Sequence, residues 1–144
     1  MANKHDALEQ VEFYEKTFRN PDRDKFLKSQ LYDLYPDKET VHEIKKSWPE
    51  PWEHSAKAGV YLFLDEDLEV VYIGKSNQFG SRFGSYFAYD YDKKCKTKHT
   101  WIATPRFVIT IAVPDDSKFE STALEEFLLS KIVTSDNILF NNRV

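Results

Sequence analysis

The chain has 144 residues, 41% of them apolar and 15% aromatic, and a formal charge of −4. Its length suits one domain with a buried core, its composition excludes disorder as the main state, and its acidity excludes a protein that coats nucleic acid by overall attraction. The first twenty residues hold no continuous apolar run, so neither a signal peptide nor a membrane span is expected, and the cytoplasm is the expected location.

In chain order, residues 5–48 read as helical. Leu8, Val11 and Phe18 mark a first segment, and Phe26, Leu27, Leu31 and Leu34 a second, with Asn20-Pro21 between them. Thr40 and Glu43 have capping-box spacing, which predicts a third helix over 37–48. Trp48-Pro-Glu-Pro-Trp52 then stops any helix and can pack through its tryptophans. The expected organisation is a helical extension over 1–57, open to roles in stability, partner binding or dimerisation, and a second module over 58–144.

From residue 59 the pattern becomes strands. Gly59-Val-Tyr-Leu-Phe-Leu64 and Glu69-Val-Val-Tyr-Ile-Gly74 predict a hairpin around the acidic turn Asp65 to Asp67. A short helix is expected over 78–87, and a polar basic loop to residue 100. The loop carries Cys95, which has no second cysteine for a disulfide or a zinc site. Phe107 to Val113 predicts a third strand, ended by Pro114. A helix over 117–134 presents Leu124, Phe127, Leu128 and Ile132 as one stripe. The fold class is therefore α+β: a small, mainly antiparallel three-stranded sheet flanked by helices.

Candidate functional residues emerge on these elements. Tyr61 and Tyr72 stand on the two arms of the hairpin beside Gly59 and Gly74, although strand aromatics commonly serve packing alone. Arg82 and Tyr86 are four apart on a helix and share a face, where a guanidinium and a phenol can meet one phosphate. Glu125 borders the apolar stripe of the last helix. It is an ordinary surface residue unless it holds a hard cation such as Mg²⁺. Asn137 reads as a turn residue or a site residue. Between Lys75 and Arg106, seven basic residues face two acidic ones, a local charge of +5. Lys93, Lys94, Lys96 and Lys98 concentrate there, either as a solvated loop or as contacts to a nucleic-acid backbone. His99 is a competing base by its ordinary pKa.

These residues, in this order, resemble the GIY-YIG nuclease family. Gly59-Val60-Tyr61 resembles the first motif, with Val for Ile, and Tyr72-Ile73-Gly74 is the second motif unaltered. Gly74-Lys75, Arg82 and Gly84-Ser85-Tyr86-Phe87 follow as in the N-terminal nuclease domain of the bacterial excinuclease C subunit. Glu125 ahead of Leu128-Leu129, and Asn137 ahead of Ile138-Leu139-Phe140, complete a likeness covering about residues 58–142.

The resemblance implies a DNA endonuclease, as in repair, dependent on Mg²⁺ or Mn²⁺. It implies Tyr61 as candidate general base, Arg82 on the scissile phosphate and Glu125 on the metal. Tyr72 and Tyr86 position water and phosphate, Asn137 supports the site, and Lys75 joins the loop lysines in binding DNA. An RNA substrate stays open. So does a catalytically inactive nucleic-acid-binding or partner-binding module on the same fold.

Overall fold

The run Gly59-Val-Tyr-Leu-Phe-Leu64 has no charged residue, and all six positions are buried in the structure, a computed structural model that describes residues 2–137. A strand apolar on both faces must lie inside a sheet that is covered on both sides. In chain order the elements are α1 (Lys4–Phe18), β1 (Leu27–Lys28), β2 (Tyr32–Asp33), β3 (Lys46–Ser47), β4 (Gly59–Leu64), β5 (Val70–Ser76), α2 (Phe79–Tyr86), β6 (Phe87–Tyr89), β7 (Cys95–Thr97), β8 (Phe107–Ala112) and α3 (Glu120–Lys131). A 3₁₀ turn at Asp115–Ser117 leads into α3.

The expected hairpin and third strand form the centre of the main sheet, where β4 pairs antiparallel with β5 on one side and β8 on the other. β1 and β2 add to β8 antiparallel, and β3 runs parallel to β2. One face, with Val60, Leu62, Ile73, Ile109 and Ile111, packs against α1 and α3 through Ala7, Val11, Leu124 and Leu128. The other face, with Tyr61, Phe63 and Val71, packs against Phe79, Phe83 and Tyr86 of α2. Trp52 seals that side, its ring centroid 4.4 Å from Tyr32 and 5.0 Å from Phe83.

Two expectations need correction. Residues 20–34 and 37–48 are not helical: they hold β1, β2 and β3, which extend the sheet from three strands to six. Short apolar runs fit either period, and the edge of β8 has backbone groups that are left unpaired unless strands such as β1 and β2 add to it. Around Thr40, Ile44 packs against the core while Val41 is 96% exposed, so the two do not form one buried helical face. The Thr40 hydroxyl instead accepts from the His42 amide at 3.2 Å, a local turn of the kind that competes with helix. The expected loop 88–100 contains a second, two-stranded sheet, β6 paired with β7.

Candidate active site

The β4–β5 register sets Tyr61 opposite Gly74 and Phe63 opposite Tyr72. A Cβ on residue 74 would lie 2.3 Å from the Tyr61 Cζ and Oη, so the glycine is what lets the phenol lie across β5. A Cβ on residue 59 would lie 2.0 Å from the Ile111 carbonyl oxygen, so Gly59 permits close pairing with β8. α2 then brings Arg82 and Tyr86 onto the same sheet face.

The result is a chain of hydroxyls. Arg82 Nε donates to Tyr61 Oη at 3.3 Å, Tyr61 Oη lies 2.9 Å from Tyr86 Oη, and Tyr86 Oη donates to Tyr72 Oη at 3.5 Å. With Arg82 donating to Tyr61 and Tyr86 donating to Tyr72, the Tyr61 proton is directed at Tyr86. The chain runs from fully buried Tyr61 to half-buried Tyr72. Burial pushes the Tyr61 pKa well above the ordinary phenol value, the other two phenols push it further, and the Arg82 charge pulls it down by less. Tyr72 is raised for the same first reason. At Tyr61 desolvation therefore outweighs the pull of the Arg82 charge.

Glu125 comes from α3, on the side of β5 away from the phenols. Burial raises its pKa while Lys75 and Arg82 oppose the rise, so the three charges act on one another. Among the described residues its half-buried carboxylate has no hydrogen bond or ion pair. No group of three or more His, Cys, Asp or Glu able to hold a metal occurs among them either. A single unspent carboxylate suits Mg²⁺ or Mn²⁺, hard ions that can take one carboxylate and complete their shell with water and phosphate oxygens. It does not suit a zinc site built from several protein ligands.

Lys75 Nζ donates to Thr122 Oγ1 at 3.0 Å, which ties the end of β5 to α3. Asn137 does not join the hydroxyl chain. Its Oδ1 accepts from the Ile73 amide at 2.7 Å and its Nδ2 donates to the Ile73 carbonyl at 2.8 Å, so it takes the place of a neighbouring strand along the outer edge of β5. The aliphatic run Ile138-Leu139-Phe140 lies outside the described residues.

The basic residues divide. Lys98 Nζ donates to the Gly84 carbonyl at 2.6 Å and the His99 ring lies 5.2 Å from that of Tyr86, so both stand at the end of α2 beside the hydroxyl chain. Lys94 pairs with Asp37 at 2.9 Å, and the Lys93 carbonyl accepts from Trp48 Nε1, so the β6–β7 turn leans on the N-terminal segment. Lys96 is exposed on β7. Arg106, counted above with the basic stretch, is buried in a two-point bond to Asp33 at 2.8 and 3.1 Å. It therefore offers no charge to a ligand. Cys95 is buried, and that burial pushes its thiol up to about 12, which makes it a neutral packing residue.

A polar cleft opens beside Arg82. Lys75, Ser76, Asn77, Gln78, Ser81 and Ser85 form one wall, and Lys118, Phe119, Ser121 and Thr122 form the other. The last helix starts at Glu120 and not at 117 as expected, which leaves Lys118 and Phe119 ahead of it; in the sequence both lie off the apolar stripe. The available signal was an aromatic residue with no periodic partner.

A guanidinium held against a phenol chain, near a carboxylate that has no partner among the described residues, is an arrangement able to engage phosphate. Residues 57–137 match the family model described as the UvrC-like GIY-YIG domain, and the chain belongs to this family of nuclease domains. The UvrABC system protein C of Mycoplasma capricolum subsp. capricolum is 34% identical over 86 residues, covering 60% of this chain and 14% of that relative. Its counterpart in Francisella philomiragia subsp. philomiragia is 35% identical over 85 residues, covering 59% and 13%. That of Trichormus variabilis is 29% identical over 117 residues, covering 79% and 17%. The chain thus spans no more than 17% of the length of these three relatives. No solved structure matches it. Among the described residues no helix is long and apolar enough to cross a membrane.

Proposed function

We propose that this module hydrolyses phosphodiester bonds of DNA with the help of a divalent cation, Mg²⁺ or Mn²⁺. The observation that carries the reading is the hydroxyl chain from Tyr61 through Tyr86 to Tyr72, held by Arg82 and set near the Glu125 carboxylate, which has no partner among the described residues. Hydrolysis joins a water oxygen to phosphorus and breaks the bond to the leaving oxygen. One proton must leave the water and one must reach the leaving group.

Tyr61 is the proposed base, and its proton has a path to Tyr86 and on to the less buried Tyr72. A phenolate on Tyr61 would sit at hydrogen-bond distance from Arg82, whose charge stabilises it. Arg82 keeps further N–H groups for phosphate oxygens, where its fork matches the charge that builds up on them. Glu125 would hold the cation, which when bound supplies Lewis-acid stabilisation of the phosphate and leaving oxygen. Lys75 and Lys98 contribute backbone contacts, with Lys93, Lys94 and Lys96 as a more distant group. Asn137 acts indirectly, by fixing the strand that carries Tyr72 and Gly74.

The test is incubation of the full chain with supercoiled, branched and single-stranded DNA, with Mg²⁺, Mn²⁺ or EDTA, alongside Arg82→Ala. The expected result is metal-dependent cleavage of at least one substrate, reduced at least about 100-fold in the variant. Equal DNA binding by both proteins with no cleavage of any substrate would replace this reading with a binding module.

A further inference from the structure

The cleft beside Arg82 contains two residues that neither the family likeness nor the proposed chemistry uses. Lys118 and Phe119 form its far wall, where the chain enters α3, facing Lys75, Ser81, Arg82 and Ser85. Phe119 is 76% exposed and has no ring contact among the described residues. The Lys118 ammonium has no hydrogen bond or ion pair among them, and its side chain is exposed. Most other aromatic side chains near the site are buried or packed on neighbouring rings, as Phe79 and Phe83 are at 5.8 Å. An uncovered ring and an uncommitted ammonium therefore share a cleft with the arginine proposed to hold the scissile phosphate.

We propose that Lys118 and Phe119 form a subsite for the nucleotide next to the scissile bond, resting on the nuclease reading above. Lys118 holds the adjoining backbone phosphate as a point charge, and Phe119 stacks on the base attached to it. Such a pairing of cation and aromatic face is how proteins hold a nucleic-acid strand without reading its sequence, since every base offers a π-face. The Ser76, Ser81 and Ser85 hydroxyls on the opposite wall donate to Gln78 and Arg82 within the protein, so the cleft's phosphate donors are its cations, Lys75, Arg82 and Lys118. The lysine and the phenylalanine are adjacent in sequence, which suits one nucleotide step and not a broad face.

The experiment uses the full chain and a fluorescently labelled DNA oligonucleotide, with binding measured by anisotropy in EDTA and cleavage measured separately with Mg²⁺. Phe119→Ala is expected to weaken binding about tenfold and to raise KM more than it lowers kcat. Phe119→Trp should restore binding, and its added indole emission should be quenched by the DNA. Lys118→Ala should reduce the slope of log affinity against log salt by about one. If both alanine variants bind and cut like the unaltered chain while Arg82→Ala fails, the subsite is wrong and the nuclease reading stands. If the unaltered chain neither binds nor cuts DNA, both fall together.

Discussion

Gly74 has no side chain because the Tyr61 phenol occupies the space one would need. Its added Cβ would meet the Tyr61 ring carbon and hydroxyl at 2.3 Å, and Tyr61 is enclosed by Phe79, Phe83 and Tyr86. Gly74→Ala should therefore displace the phenol from Arg82, with a stability loss of about 1–3 kcal/mol read by thermal or denaturant unfolding, and a larger loss of cleavage. Tyr61→Phe keeps the ring and deletes only the hydroxyl. As the proposed base must lose a proton and burial raises its pKa, the reactive fraction grows as pH rises. The logarithm of the cleavage rate should climb with a slope of about one per pH unit across neutrality. In Tyr61→Phe that slope should flatten and kcat should fall at least about 100-fold; an unchanged profile would move the base elsewhere.

At the scale of elements, β5 is an edge strand whose outer backbone is held at its start by the Ala2 carbonyl, which accepts from the Val70 amide, and at its middle by the Asn137 side chain. Asn137 satisfies both the amide and the carbonyl of Ile73, between Tyr72 and Gly74, and is itself braced by Thr134. Asn137→Ala leaves two buried backbone groups unpaired, and a loss of about 1–3 kcal/mol on denaturant unfolding is expected. Activity should fall with it, because Tyr72 rides on the freed strand. The elements that build this site were legible in sequence since their apolar patterns are long and single-minded: Val60 to Leu64, Val70 to Ile73, Phe107 to Ala112, and the Leu124 and Leu128 stripe. Residues 20–48 were not. Phe26, Leu31 and Leu34 are buried, but their spacing fits a helix as well as short strands, and only the β8 edge decides between them. The clamp that Asn137 makes on β5 was not legible, because its partner lies 64 positions away.

At the scale of the molecule, residues 2–57 belong to the same packed body as the nuclease elements. α1 packs on α3, where Arg19 makes a two-point bond to Glu120 at 2.7 and 3.0 Å. β2 carries Asp33, whose bond to Arg106 joins the N-terminal segment to β8, and both side chains are only 3% exposed. Composition alone counted Arg106 as free basic surface, since nothing local reveals a partner 73 residues away. Asp33→Ala would leave the guanidinium buried without its main counter-charge. A destabilisation of about 3 kcal/mol or more is expected in denaturant unfolding, with the hydroxyl chain otherwise untouched. The N-terminal segment is thereby proposed to stabilise the small nuclease module. The match that covers 79% of this chain is too long to fit within residues 58–144, so that likeness reaches into the segment as well.

The proposal that the hydroxyl chain and Glu125 form one metal-assisted centre is tested most directly by nicking of supercoiled DNA. Wild type and Glu125→Ala would be compared across a Mg²⁺ titration and in EDTA, after circular dichroism has shown that both are folded. Wild type should nick only when the cation is present, and Glu125→Ala should lose that activity at every concentration. Nicking that persists in EDTA, or that survives in Glu125→Ala with the same Mg²⁺ dependence, would contradict it.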